Sequence, residues 1–238
     1  MLKIMYKNYF STITKTCRKS TKCGKEGQME EFFTIKEDVY AELTEKKSKF
    51  IANIFYVENT TEVEEKIKEI KRKYFDAKHN CIAYRVIEND SIIEKSSDDG
   101  EPSGTAGAPM LSILQKNNLC NILVIVTRYF GGILLGTGGL VSCYSQVTIN
   151  GIEKAVKIKK CKGEEIKVEV SYSELEKFKY YCKKNEIKIT NIEYLQDISI
   201  TLELEKSTKI KLTNDIMSKK LNINNIFLLC EKYIEKSI

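Results

Sequence analysis

The sequence is poor in the residues that most metal and redox centres require. It contains one histidine (His79), no tryptophan, two prolines and four arginines beside 35 lysines. Its eight cysteines include no C-x-x-C pair, so a zinc ribbon or finger has no ligand set at usable spacing. We therefore expect no metal and no cofactor, and we expect reduced thiols in a cytoplasmic protein.

Long apolar runs are also absent. The longest uninterrupted aliphatic run covers residues 122–126, far below the roughly 18 residues that cross a bilayer. We therefore expect no membrane partner. With 238 residues and 42% apolar side chains, the chain can bury one or two cores. Nothing in the sequence fixes its oligomeric state.

The net charge of +6 is concentrated at one end of the chain. Residues 1–28 contain seven lysines or arginines and one glutamate, and the charges of the remaining residues cancel. Global charge therefore gives no argument for nucleic-acid binding, and only a local basic patch could provide one. Residues 1–28 are either an extension, such as a presequence or a flexible arm, or an upstream stretch if translation begins at Met29. We expect disorder in both cases.

The hydrophobic pattern of residues 29–150 predicts a first α+β unit. An amphipathic helix near residues 63–74 is expected to cover a sheet, and the run at 122–126 is expected to be a strand buried on both faces. The remaining predicted strands lie at residues 32–35, 50–57, 81–87 and 92–95.

Residues 164–238 predict a second α+β unit with almost no glycine. Its strands and helices follow the order β-α-β-β-α-β, which is typical of a ferredoxin-like split sandwich. Residues 151–163 are predicted to be a basic linker between the two units. Its lysines form a candidate basic patch that consists of Lys154, Lys157, Lys159, Lys160 and Lys162.

Glycine is concentrated in two segments of the first unit. Eight of twelve glycines and both prolines lie between Gly100 and Gly139, which predicts two shaped loops. The first loop, residues 97–109, reads SDDGEPSGTAGAP and offers carboxylates, hydroxyls and backbone amides. Its spacing matches neither an EF-hand loop nor the G-x-S-x-G turn of serine hydrolases.

The second loop, residues 127–139, reads TRYFGGILLGTGG and joins the buried strand to a predicted helix. A glycine turn before a helix N-terminus favours anions, because unpaired N–H groups point outward there. However, Thr137 stands where a phosphate-binding P-loop has lysine, and the third glycine of the dinucleotide motif is missing. We expect a generic loop for binding phosphate or backbone.

Arg128 has two open interpretations. Its planar guanidinium suits a phosphate or carboxylate ligand, or it pairs with a carboxylate of the first loop and ties the two loops together. His79 is either a base in a site or a packed histidine. Tyr129 and Phe130 are expected to pack beneath the second loop rather than stack on bases.

The acidic and hydroxyl residues of the first loop have similar alternatives. Asp98 and Asp99 could hold a cation or cap the turn. Ser103 or Thr105 could be a nucleophile, but the sequence assigns no base to either hydroxyl. We expect the two loops to fold toward each other into one pocket. The candidate ligand-binding residues are His79, Asp98, Asp99, Glu101, Ser103, Thr105, Arg128, Gly131, Gly132, Gly136, Gly138 and Gly139.

Three segments of the sequence resemble the Impact/YigZ family. They are AKHNCIAYR at residues 77–85, the first loop, and VTRYFGGILLGTGGLV at residues 126–141. The resemblance covers residues 29–149, and the second unit resembles the C-terminal domain of the bacterial YigZ-type branch. Ser142 stands where the family often has arginine, which weakens a purely cationic surface.

The resemblance implies a first domain like domain two of ribosomal protein S-five, followed by a ferredoxin-like domain. The pair is similar to the last two domains of the translocating elongation factor, and such folds sit on ribosomes. The eukaryotic Impact branch restrains a translational stress kinase with an additional N-terminal domain that has no counterpart here. We therefore do not expect kinase regulation.

Three hypotheses follow for function. The first is a translation-associated regulator that binds RNA, the ribosome or a translation factor through the glycine loops and Arg128. The second is an enzyme acting on a small phosphorylated or acidic substrate, with His79 as base. The third is a protein–protein interaction module whose loops form the partner surface.

Overall fold

A computed structural model describes residues 30–89 and 91–236, so the interpretation of residues 1–28 lies outside the described part. The predicted two-domain α+β fold is confirmed. Among the described residues, no helix is long and apolar enough to span a membrane. In chain order the elements are β1 (Glu31–Ile35), β2 (Val39–Glu45), β3 (Ser48–Tyr56), α1 (Thr60–Lys73), β4 (His79–Glu88), β5 (Ser91–Ser97), α2 (Gly107–Lys116), β6 (Ile122–Tyr129), α3 (Gly136–Lys154), β7 (Lys157–Val170), a 3₁₀ turn (Tyr172–Glu174), α4 (Leu175–Lys184), β8 (Lys188–Tyr194), β9 (Ile198–Glu205), α5 (Lys206–Met217) and β10 (Asn225–Lys236).

The first domain is an antiparallel sheet with the strand order β2-β3-β6-β4-β5. Helices α2 and α3 cover one face, where Phe50, Val126 and Tyr144 are buried in one core. Helix α1 covers the other face, where Val63 packs with Ile125. Strand β6 is therefore buried on both sides, as its unbroken aliphatic run predicts.

Helix α1 has a local start signal. The side-chain oxygen of Asn59 accepts a hydrogen bond from the Glu62 amide at 2.9 Å, and the Glu62 carboxylate accepts one from the Asn59 side chain at 3.0 Å. The first bond satisfies a backbone donor that a helix N-terminus leaves unpaired, and the second orients the capping side chain. The cap places α1 against β4 and β6.

The second domain has the strand order β10-β7-β9-β8, and every pair is antiparallel. With α4 after β7 and α5 after β9, this is the ferredoxin-like arrangement that the β-α-β-β-α-β order predicts. The alternating Ile166, Val168 and Val170 of β7 are buried in the second core together with Phe178 of α4.

The residues expected to form a basic linker are part of regular structure instead. Residues 151–154 complete α3, and residues 157–163 are the first half of the 14-residue strand β7. A run of lysines indicates a solvated connector when read alone. Here Cys161 within that run is buried, and Lys160 packs on the ring of Tyr56 in the first domain. Tertiary contacts therefore extend the strand through the lysines.

Strand β1 differs from its predicted place in the first domain, because it pairs with β7 of the second sheet. Its other edge bonds to the first domain. The Phe33 amide donates to the Asn118 carbonyl at 3.1 Å, and the Cys120 amide donates to the Phe33 carbonyl at 2.9 Å. Phe32 packs on Tyr233 of β10, with ring centroids 5.0 Å apart. Strand β1 thus joins the two domains.

Candidate functional site

Both glycine loops lie at one end of the first sheet. There, Phe50 of β3, Arg128 of β6 and His79 of β4 are direct partners across neighbouring strands. Because opposed residues of antiparallel strands point to the same face, their side chains share the face that α2 and α3 cover. The first loop begins at the end of β5, and the second loop begins at the end of β6, which includes Arg128 and Tyr129.

The two loops are joined by a buried ion pair. One guanidinium nitrogen of Arg128 (Nη1) donates to both carboxylate oxygens of Glu101, at 2.7 and 2.9 Å. The Tyr144 hydroxyl of α3 donates to the same carboxylate at 2.8 Å. Arg128 is 7% exposed and Glu101 is 8% exposed. In the structure, the Arg128 guanidinium therefore pairs with a carboxylate of the first loop and joins the two loops, which is the second of its two interpretations.

Arg128 also lies in a stack of rings that runs from the core to the surface. The ring centroids of Tyr144 and Phe50 are 5.2 Å apart in an edge-to-face arrangement. The guanidinium carbon of Arg128 lies 5.5 Å from the Phe50 centroid and 5.6 Å from the Phe130 centroid. Phe130 is 55% exposed, so the expectation that it packs beneath the loop is wrong. The Arg128–Glu101 pair fills that space.

The first loop satisfies its own backbone amides. The Asp98 carboxylate accepts hydrogen bonds from the amides of Gly104, Ala106 and Gly107, all within 2.9 Å. Burial raises the pKa of Asp98, but the three backbone hydrogen bonds outweigh it and hold the pKa below its usual range. Asp98 therefore caps the loop and the start of α2, and these amides are not available to an anion.

Asp99 and His79 are engaged on the other side of the same turn. The Asp99 carboxylate accepts the Asn80 amide at 2.7 Å and lies 3.1 Å from the Lys71 ammonium. The Asp99 carbonyl lies 2.9 Å from His79 Nδ1, which assigns the ring proton to that nitrogen. Asp98 and Asp99 thus serve different partners. No cluster of three metal-ligating side chains occurs among residues 30–89 and 91–236.

Neither hydroxyl candidate is an activated nucleophile, and the same holds for the neighbouring thiol of Cys81. The Thr105 hydroxyl donates to the Pro102 carbonyl at 2.6 Å, whereas Ser103 is exposed at the surface of the loop. Cys81 donates to the Asp98 carbonyl at 3.0 Å, and burial raises the pKa of its thiol to about 12. A thiol with that pKa is protonated at neutral pH, so it is unreactive.

The second loop begins in tight contact with the β2–β3 turn. A Cβ on Gly131 would lie 2.0 Å from the carbonyl carbon of Lys47, so only glycine fits there. The Gly131 amide donates to the Ser48 hydroxyl at 3.1 Å. This contact holds residues 130 and 131 beside Lys46 and Lys47, which are both exposed.

The rest of the second loop is open to solvent. Gly132 and Gly136 have positive φ, and a Cβ on either glycine or on Gly138 would meet nothing within 4 Å. Helix α3 begins at Gly136 without a side-chain cap, and Gly139 lies in its first turn. Ile133 and Leu134 are exposed, Leu134 by 83%. We call the exposed group Lys46, Lys47, Phe130, Ile133 and Leu134 the loop surface.

Sequence reasoning missed the lysines of the loop surface. Lys46 and Lys47 both have positive φ, at 45° and 64°. Turns with such backbone angles are normally recognised by glycine or asparagine, and neither residue occurs in this one. The available signal was the sequence EKKS between two segments of alternating polarity.

The lysines predicted as a basic patch do not form one surface. Because side chains alternate along β7, the odd-numbered and even-numbered lysines face opposite sides of the sheet. Lys159 pairs with Glu31. The Lys160 ammonium donates to the Tyr56 hydroxyl at 2.5 Å, and burial lowers its pKa. The five residues are Lys154, Lys157, Lys159, Lys160 and Lys162.

Comparison with known proteins identifies the family. Residues 46–152 match the model of the Impact N-terminal domain, and residues 168–216 match a domain of unknown function, DUF1949. The IMPACT family member YvyE of Bacillus subtilis is 36% identical over 175 residues, which are 74% of this chain and 80% of that protein. The chain belongs to the Impact family. The Impact N-terminal domain contains both glycine loops and the Lys46–Lys47 turn.

Two further similarities cover most of the chain. An IMPACT family member of Haemophilus influenzae is 35% identical over 199 residues, which are 80% of this chain and 93% of that protein. The crystal structure of a hypothetical protein is similar with a TM-score of 0.56 and 28% identity, over 84% of this chain and 97% of that one. The Impact-family similarity therefore includes the second domain as well as the first.

Proposed function

We propose that this Impact-family protein is a translation-associated protein that binds RNA backbone through its loop surface. The observation that carries the proposal is the backbone contact of Gly131 with Lys47, which joins a turn with two exposed lysines to the exposed second loop. Arg128 is not part of the proposed RNA contact, because Glu101 already neutralises its charge.

The chemistry of the loop surface suits a polyanion. Lys46 and Lys47 supply point charges for phosphate, and phosphate contacts dominate the affinity of proteins for nucleic acid. Gly132, Gly136 and Gly138 present no side chain, so a sugar–phosphate backbone can approach the main chain closely. The uncapped start of α3 adds backbone N–H groups to the same region.

Two lysines of the second-domain sheet are paired within the protein. Lys232 lies 3.1 Å from the Glu165 carboxylate and 2.8 Å from that of Glu203, and Lys188 also pairs with Glu203 at 3.0 Å. Cations that are paired within the protein contribute little to phosphate binding. These ion pairs therefore leave Lys188 and Lys232 little free charge for phosphate.

Ribosome association is the context that family membership supports. The Impact resemblance implies domains like those of a ribosomal protein and of the translocating elongation factor, whose position is on the ribosome. An RNA-binding loop at one end of the first domain is consistent with that position. We therefore propose ribosomal RNA as the physiological ligand.

The salt dependence of binding tests the proposal. Cosedimentation with ribosomes and fluorescence anisotropy with labelled ribosomal RNA fragments would be measured over a series of salt concentrations. We expect affinity to fall steeply with salt, and the double variant Lys46→Glu/Lys47→Glu to reduce the logarithmic salt slope by about 1.5 to 2. The matched control, Lys68→Glu/Lys95→Glu, reverses two exposed charges outside the loop surface and should keep the slope. Equal slopes for both double variants would contradict the proposal.

The exposed side chains of Ile133 and Leu134 favour a second candidate, a translation factor bound through apolar contact. Nuclease treatment separates the two candidates. An RNA-dependent complex is lost when the RNA is digested, whereas a direct protein complex survives. Capture that survives nuclease and is insensitive to Lys46→Glu/Lys47→Glu would support the protein partner.

A further inference from the structure

Phe130 is the outermost member of a packed stack. Beneath it lie the Arg128 guanidinium, then Phe50, then Tyr144, with successive separations of 5.6, 5.5 and 5.2 Å. Phe50 and Tyr144 are fully buried, whereas just over half of Phe130 is exposed. The ring of Phe130 is thus supported from below by a column that starts in the core.

The ion pair holds this column in place. Glu101 binds both Arg128 and the Tyr144 hydroxyl, so two members of the column share one carboxylate. A planar guanidinium stacks well on aromatic faces, and its position here is fixed by hydrogen bonds. Phe130 therefore needs little further ordering when a ligand covers it, and this preorganisation favours binding.

We infer that the ligand of the loop surface is single-stranded RNA and that one unpaired base stacks on Phe130. The inference rests on the proposed function and specifies the class of RNA. Every base has a π-face that can stack on an aromatic ring, but in a duplex those faces are covered by neighbouring base pairs. A supported, half-exposed phenylalanine therefore selects unpaired nucleotides.

The neighbours of Phe130 fit the rest of a nucleotide. Gly131, the next residue, contacts the backbone of Lys47, so the turn that carries Lys46 and Lys47 lies beside the second loop. A nucleotide carries its base and its phosphate on one sugar, so a ring beside two cations can engage both parts at once. Arg128 acts as a positioning residue for Phe130, since its own charge is paired with Glu101.

Fluorescence anisotropy tests the inference with two probes, a labelled oligoadenylate of about ten nucleotides and a blunt RNA duplex of equal length. We expect the single strand to bind more tightly than the duplex. Phe130→Leu keeps an apolar side chain and removes the π-face, so it should weaken single-strand binding about tenfold. Phe130→Tyr restores a ring and should bind nearly as well as the unaltered protein. The control Phe227→Leu, in the second domain, should have no effect.

The outcomes separate this inference from the proposed function. If Phe130→Leu binds the single strand as well as the unaltered protein while Lys46→Glu/Lys47→Glu binds neither probe, base stacking is overturned and backbone binding stands. Equal affinity for both probes would also overturn it. If neither probe binds at any salt concentration, both proposals fail. Circular dichroism of each variant confirms that the fold is retained.

Discussion

At the residue scale, the Glu101–Arg128 pair determines how the two glycine loops meet. Both groups are more than nine-tenths buried, so each ion depends on the other for charge compensation. The Arg128 Nε is buried and has no hydrogen-bond partner in the part of the chain that the structure describes. The pair therefore leaves one donor unsatisfied and relies on its carboxylate contacts.

Replacing Glu101 tests this dependence. Glu101→Gln removes the negative charge and leaves the Arg128 guanidinium buried and uncompensated, so the free energy of unfolding should fall by about 3 kcal/mol. Urea denaturation followed by circular dichroism measures the change. The exposed pair of Lys49 and Glu42 gives the control, because Glu42→Gln should cost less than about 1 kcal/mol. Losses of equal size for both variants would show that the buried pair is dispensable.

Asp98 predicts a pH-dependent contribution to stability. Its pKa lies below the ordinary value of 3.8 in the folded protein, so its stabilising effect is full above about pH 4 and is lost as the pH falls through the folded-state pKa. Asp98→Asn turns an amide donor toward backbone N–H groups and should cost about 1 to 2 kcal/mol at pH 7. The difference from the unaltered protein should shrink below pH 4. A difference that is constant from pH 7 to pH 3 would contradict the account.

The sequence predicts these residues better than it predicts their partners. The density of glycine identifies both loops, and the scarcity of arginine draws attention to Arg128. Tyr144 could not be assigned to the site, because a tyrosine on the apolar face of a helix is normally core. Phe130 was misplaced since its position depends on the Arg128–Glu101 contact, which joins residues 27 positions apart. Such long-range pairing leaves no local pattern.

At the element scale, the contact between the second loop and the β2–β3 turn organises the loop surface. Gly131→Ala would place a Cβ within 2.3 Å of three backbone atoms, so loop and turn must separate. We expect a loss of about 2 kcal/mol or more in unfolding free energy, with weaker RNA binding. The control is Gly138→Ala, which meets no atom within 4 Å in the first turn of α3. It should stabilise the protein by up to about 1 kcal/mol.

Thermal unfolding of these two alanine variants gives the comparison of stability, and RNA titration compares Gly131→Ala with the unaltered protein. Opposite effects on the melting temperature are the expected result. If Gly131→Ala were as well tolerated as Gly138→Ala, the close approach of the loop to Lys47 would be disproved. The proposed proximity of the lysines to Phe130 would then also lose its basis.

The sheets illustrate which elements can be predicted from local pattern. The buried run of β6 is located correctly because burial on both faces leaves an unbroken aliphatic run in the sequence. Strand β2 is missed because it lies at a sheet edge and is exposed at four of its seven positions, so burial imposes no clear period on it. The first half of β7 is missed because its strand structure depends on pairing with β1 and β10 and on the packing of Lys160 against Tyr56, which no local pattern shows.

At the scale of the whole molecule, β1 makes one unit of two domains. Its hydrogen bonds to β7 and to residues 118 and 120 lie on opposite edges of the same strand. Phe33→Pro removes the amide that donates to Asn118 and leaves the neighbouring residues free to pair with β7. We expect one calorimetric unfolding transition for the unaltered protein and two for the variant. Two transitions in the unaltered protein would contradict this coupling.

The loop surface is the proposed RNA contact of this Impact-family protein. A photoreactive amino acid placed at position 134, at the exposed tip of the second loop, tests that claim most directly in a mixture with ribosomes. Position 195, exposed on the second domain, is the matched control. The account predicts crosslinks to ribosomal RNA from position 134 and none from position 195. Crosslinks to RNA from position 195 alone, or no RNA from position 134, would contradict it.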